Sequence, residues 1–185
     1  MLYSSSEYRE IDKAALRLRL DYGFLSYSID VFSLAKKMGI IVIPYSKLSV
    51  YQISYICKQK ELGDGFSVIQ RKKNGDYVLY IFYNDLFDLS RQRFTIAHEI
   101  KHILYMEESP DAKQEDLANH FARYLLAPTC LVMKLIDKCP MELACIFDIS
   151  LMAAENAYKS AKNRINAGKE EPLSFETEFV EKLIK

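Results

Sequence analysis

The residues best equipped for chemistry lie in Phe94-Thr95-Ile96-Ala97-His98-Glu99-Ile100-Lys101-His102-Ile103-Leu104, which carries His-Glu-x-x-His within a run of helical periodicity. Side chains four apart on a helix lie one above the other, so His98 and His102 can grip one metal ion from one face. Glu99 lies about 100° round the axis, within reach of a water on that metal. Two imidazole ligands and a carboxylate base are the arrangement by which zinc activates water against a peptide bond. The cofactor this implies is a single Zn2+ ion, and the expected activity is that of a small zinc-dependent protease.

The competing reading is a solvated helix face that carries two histidines by chance. Against it, Ile96, Ala97, Ile100, Ile103 and Leu104 form an apolar stripe that buries the helix, and two of the three histidines in the chain fall in the motif. Imidazoles paired at the edge of a buried face need a partner. A catalytic zinc takes three protein ligands and keeps one position for water. A third histidine six residues past the motif, after a glycine, is ruled out, because those positions hold Glu108 and Tyr105.

The next predicted helix offers Glu115, Asp116 and His120 instead. Glu115 is the favoured ligand, with Asp116 and His120 as alternatives. His120 is five residues from Glu115, about 140° round the helix, so the two cannot both face the motif. Asn119, one turn beyond Glu115, is placed to accept the free N–H of a zinc-bound histidine, although a solvated helix residue would look the same. Tyr83, Tyr105 and Tyr80 are candidates to stabilise the oxyanion, against the plainer reading that tyrosines in a chain with thirteen of them serve packing.

These groups need elements to hold them. Tyr8 to Tyr22 reads as an amphipathic helix with Ile11, Ala14, Ala15, Leu18 and Tyr22 inward. A second helix starts at Ser28-Ile29-Asp30 and ends at Gly39, and the β-branched run Ile40-Ile41-Val42-Ile43 makes a strand halted by Pro44. Tyr51 to Leu62 is ambiguous between strand and helix. Phe66–Gln70 and Tyr77–Tyr83, joined through Asn74-Gly75, form a β-hairpin. If the second of these strands is a sheet edge, an extended substrate can pair along it. Asp88 or Ser90 caps a motif helix over Arg91–Met106, and a polar loop at Glu107–Asp111 leads to a helix over Lys113–Leu126 that stops before Pro128. Helices over Leu131–Lys138, Met141–Phe147 and Ser150–Ala167 follow, and the charged residues from Lys169 onward are expected to fray. The class is α+β, mostly helical, with a small sheet containing an antiparallel pair against the motif helix.

The run Phe94-Thr95-x-Ala97-His98-Glu99-x-x-His102, followed by Glu115-x-x-Ala118-Asn119-x-Phe121-Ala122-x-x-Leu125-Leu126-x-Pro128, resembles the ImmA/IrrE family of metallo-endopeptidases. The likeness extends upstream to Asp30-Val31-Phe32-Ser33-Leu34-Ala35-x-x-Met38-Gly39-Ile40 and downstream to Leu143-Ala144-x-x-Phe147-x-Ile149-Ser150. It implies a zincin-like core with His98, His102 and Glu115 on zinc and Glu99 as the catalytic base. It also implies a protein substrate, a helix-turn-helix repressor of a phage, mobile element or stress response. The peptidase domain is expected over residues 1–130, with 131–185 a helical extension on the core. Family members usually carry glycine before the second histidine. Lys101 stands there instead, and would set a long cation beside the site.

Composition narrows the alternatives. Twenty-five basic residues balance twenty-five acidic ones, so no global field draws the chain to nucleic acid or an anionic membrane. There is no signal-peptide pattern at the N-terminus and no apolar run near the roughly 20 residues a bilayer requires, so the expected location is the cytoplasm. Cys57, Cys130, Cys139 and Cys145 form no C-x-x-C pair and read as buried reduced thiols. A DNA-binding regulator is a second class of function, from a helix-turn-helix pattern at Met141–Phe147 and Leu151–Lys162. A recognition helix should present polar residues where Leu151, Met152, Ala153 and Ala154 stand, so direct nucleic-acid binding is disfavoured. A third class is a non-catalytic zinc-bound sensor or anti-repressor module.

Overall fold

The computed structural model describes residues 5–59 and 63–183, in two compact units, Val31–Ala118 and Met1–Asp30 with Asn119–Lys185. In chain order the described residues form α1 (Ser5–Asp21), α2 (Val31–Lys37), β1 (Ile40–Pro44), α3 (Val50–Gln59), β2 (Gly65–Arg71), β3 (Tyr77–Tyr83), α4 (Leu89–Leu104), α5 (Ala112–Leu126), α6 (Thr129–Lys134), α7 (Pro140–Phe147), α8 (Leu151–Asn166) and α9 (Ser174–Leu183). The chain is α+β, mostly helical with one small mixed sheet.

In the unit Val31–Ala118 the sheet order is β1-β3-β2, with β1 parallel and β2 antiparallel to β3. The Asn74-Gly75 signal builds the hairpin turn as expected. Gly75 takes φ +92°, and the Lys72 N–H donates to the Asp76 carbonyl at 2.7 Å to close the loop. The strand β3 is the central one, so the condition for substrate pairing along Tyr77–Tyr83 is not met. Its backbone is bonded on both sides by the parallel run of Ile40–Pro44 and by the hairpin partner, so β1 and β2 are the edges. The ambiguous segment is helical through Gln59, and its last three residues, 60–62, lie outside the described residues.

The helices α2 and α4 pack on this sheet, with Val31, Leu34, Ile81, Ile96, Ala97 and Ile100 fully buried. A close approach at Gly65 sets the seat of α4. A Cβ there would lie 2.5 Å from Thr95 Cγ2 and 2.7 Å from the Phe82 carbonyl oxygen, so only glycine lets the strand meet the helix.

In the other unit α1 buries Ile11, Ala15, Leu16 and Leu18 and meets α9, while α6 and α7 both pack on α8. Within the charged stretch expected to fray, Ser174–Leu183 form α9, which buries Phe179, Val180 and Glu176. The Glu176 carboxylate accepts from Arg164 Nη1 and Nη2 at 2.7 and 2.6 Å and from the Tyr124 hydroxyl at 2.6 Å, a long-range anchor invisible to local patterning. The thiol of Cys130 is buried, but Cys139 and Cys145 are exposed at the cap and outer face of α7, contrary to expectation. The side chain of Cys57 lies outside the described residues.

Candidate metal centre

The helix α4 starts where the Asp88 carboxylate accepts from the Arg91 N–H at 3.0 Å, which satisfies one of the unpaired amides of the first turn. Of the two capping candidates it is Asp88 that serves. The Ser90 hydroxyl hydrogen-bonds to it and, with the Arg91 amide, holds its carboxyl below the usual carboxylate range. The apolar stripe then points Ile96, Ala97, Ile100 and Ile103 inward and carries His98, Glu99 and His102 along with it, so that Glu99 and His102 are buried.

The C-terminus of α4 is a Schellman motif. Met106 takes φ +53°, its N–H donates to the Ile103 carbonyl at 3.1 Å, and the Glu107 N–H donates to the His102 carbonyl at 2.8 Å. This left-handed turn folds Glu107 back over the helix end. Its Oε2 then lies 2.7 Å from His102 Nδ1. A carboxylate only accepts, so Nδ1 carries the hydrogen and the Nε2 lone pair is left for a metal.

The helix α5 begins with a reciprocal cap. Asp111 Oδ1 accepts from the Gln114 N–H and Gln114 Oε1 accepts from the Asp111 N–H, each at 2.8 Å. The residue after Gln114 is Glu115, and this start aims its carboxylate at the histidines. Its Oε2 is 3.1 Å from His98 Nε2, its Oε1 is 3.5 Å from His102 Nε2, and the two Nε2 atoms are 3.0 Å apart. Donors on a tetrahedral zinc with arms of about 2.0–2.1 Å sit roughly 3.3 Å apart, so the residues present fit the ion. Among the described residues this is the one group of histidine, cysteine and carboxylate side chains that converges within metal reach. The Glu115 side chain is 45 % exposed while that of His102 is 3 % exposed, so the cluster opens toward solvent on its carboxylate side.

The alternatives for the third ligand lie elsewhere. Asp116 is exposed and outside the cluster. The ring of His120 is 2.7 Å from Asp12 Oδ1 and 4.6 Å, centroid to centroid, from the Tyr8 ring. Asn119 sits one turn beyond Glu115 on α5, half-buried. The Tyr83 ring meets Phe32 edge-on at 5.7 Å, and burial, then the neighbouring Asp85 charge, pushes its phenol above the usual range. Tyr105 is the exposed cap of α4.

Two features were not read from the sequence. Glu107 had passed as part of a polar terminating loop, yet it partners His102. The only signal was its place three residues past the helix end, and Met106 gives no glycine-like hint of the turn that returns it. Lys101 is a cation beside the site, as expected, but it is 1 % exposed and its ammonium is held by both Glu107 oxygens.

A family model described as the IrrE N-terminal-like domain of peptidase M78 matches residues 37–156. A search of curated proteins finds no match.

Proposed function

The chain belongs to the peptidase M78 family, the ImmA/IrrE peptidases, and on that premise we propose that it is a zinc-dependent endopeptidase with a zincin-like core. The observation that carries this reading is the convergence of His98, His102 and Glu115, whose donor atoms all lie within 4.8 Å of one another. In this reading those three residues hold the ion and Glu99 is the general base. The needed residues fall within 1–130, and 131–185 is a helical extension.

Bound zinc supplies Lewis acidity toward the scissile carbonyl and lowers the pKa of water to about 7. Glu99, one residue from His98 and buried, takes the proton of the attacking water and returns it to the leaving amine. Glu107 holds His102 in the tautomer that presents Nε2. Asn119, Tyr83 and Tyr105 stand as weaker candidates for orienting a ligand or stabilising the oxyanion. With β3 covered on both sides, an extended substrate would pair with an edge strand. The family likeness points to a helix-turn-helix repressor as substrate, in the cytoplasm. Among the described residues no helix is long and apolar enough to cross a membrane.

The test is metal content on protein purified without a polyhistidine tag. One zinc per chain in wild type, lost in His102→Ala and in Glu115→Ala, supports the three-ligand site. Glu99→Gln should keep its zinc while losing peptidase activity by about a hundredfold or more. A Glu99→Gln protein that cuts as fast as wild type would refute the mechanism. A Glu99→Gln protein indistinguishable from wild type in a partner-release assay would favour the non-catalytic sensor.

A further inference from the structure

The side chain of Lys101 is among the most deeply buried in the molecule, and it sits beside a metal-ligand candidate without facing the open side of the site. Its ammonium lies 2.8 and 2.7 Å from the two Glu107 oxygens and 3.1 Å from the Gln114 carbonyl oxygen. It is also 5.4 Å from the centre of the Tyr105 ring. A desolvated ammonium is tolerated only where its protons find acceptors, and here two carboxylate oxygens and a carbonyl provide them.

The partners matter more than the pairing. Glu107 Oε2, one of the oxygens Lys101 holds, also accepts from His102 Nδ1 at 2.7 Å. The carbonyl it clasps belongs to Gln114, the residue that closes the cap of α5 and immediately precedes Glu115. One side chain thus reaches the orienting carboxylate of a ligand on α4 and the backbone beside the ligand on α5. Glycine at this position, as in the family pattern, could do neither.

We propose that Lys101 is a positioning residue for the metal centre, acting through Glu107 on His102 and through the Gln114 carbonyl on Glu115. It braces the two ligand-bearing helices at one point. It also offsets the negative charge that Glu107 places beside the His102 ring, so that Glu107 can stay largely covered and aligned. The proposal rests on the metal-site reading above, with zinc as the ion held.

The experiment reads zinc affinity, by competition with a chromophoric chelator, and the visible spectrum of the cobalt-substituted protein. Neither needs a peptidase substrate. The variants are Lys101→Met, Glu107→Gln and the double variant Lys101→Met/Glu107→Gln, with the thermal midpoint of each zinc-free protein as the measure of folding. Lys101→Met should weaken zinc binding by about 10–100-fold and alter the cobalt bands. The double variant leaves no unpaired buried charge, so it keeps the proposal testable if Lys101→Met does not fold. It should recover the zinc-free midpoint and still bind zinc about tenfold or more weakly than Glu107→Gln alone, because the clasp on Gln114 is gone. Wild-type zinc affinity and cobalt spectrum in a folded Lys101→Met, or a double variant that binds zinc as tightly as Glu107→Gln, would overturn the proposal and leave the metal site standing. A wild-type chain that takes up neither metal would overturn the metal reading and this proposal together.

Discussion

Individual residues in this chain divide by what their burial is for. The ammonium of Lys101 is buried and the carboxylate of Glu107 largely covered beside the candidate metal cluster, the two turned to one another. The thiol of Cys130 is also buried, and there desolvation dominates. Desolvation, then the nearby Glu176 charge, pushes it from about 9 up to about 12. A thiol reagent at pH 8 should therefore spare Cys130 in the folded protein while modifying the exposed Cys139 and Cys145, with mass spectrometry of the labelled peptides as the readout. The sign of the linked stability follows. A group whose folded pKa is raised contributes stability below its unfolded value and loses it as pH rises through the folded one. The Cys130 contribution should therefore decline between about pH 9 and pH 12. Labelling of Cys130 as fast as Cys145 in native protein would contradict this account.

At the scale of elements, the site depends on how α4 is seated and ended. The seat is the contact of Gly65 with Thr95 and the Phe82 carbonyl, where an added methyl group meets backbone on one side and a branched side chain on the other. Gly65→Ala should lower unfolding free energy by about 1–3 kcal/mol, read as a shift in the urea midpoint. Gly63→Ala, where a Cβ would meet nothing within 4 Å, is the control expected to change little. Equal effects at the two glycines would mean that chain flexibility, and not the close approach, is what Gly65 provides. The end of α4 is equally specific. The left-handed Met106 gives up backbone ease, and in return Glu107 holds both the carbonyl and the ring of His102.

The whole molecule consists of two compact units, and the candidate metal centre is built within one of them, Val31–Ala118. The other unit carries its own buried polar anchor. Glu176, with none of its surface exposed, takes the Arg164 guanidinium, the Tyr124 hydroxyl and the Leu173 N–H at 2.7 Å, and so fastens α9. Removing one partner of a buried pair leaves the other charge stranded, so Glu176→Ala should lower unfolding free energy by about 3–5 kcal/mol in chemical denaturation. A change under about 1 kcal/mol would show that Arg164 finds water or another acceptor.

Much of this was legible from residue order because the signals act over a few positions. Four-residue spacing put His98 and His102 on one face, the pair Asp88 and Ser90 marked the start of their helix, and Asn74-Gly75 marked the hairpin. Repeated three- and four-residue steps marked α1, α4 and α5. Glu115 was the favoured carboxylate of the next helix, with Asp116 and His120 kept as alternatives until the family resemblance singled it out. Sequence could not disclose contacts that depend on distant or unannounced backbone geometry. Strand order hid the covering of β3, since Ile40–Pro44 lies far back in the chain. The fastening of α9 required Tyr124 and Arg164 to meet Glu176. The partnership of Lys101, Glu107 and His102 arose from a left-handed methionine and the return of α5. Local periodicity therefore determined which residues could bind a metal, and the tertiary structure alone decided what holds them still, because buried charges are placed by whichever partners folding brings within reach.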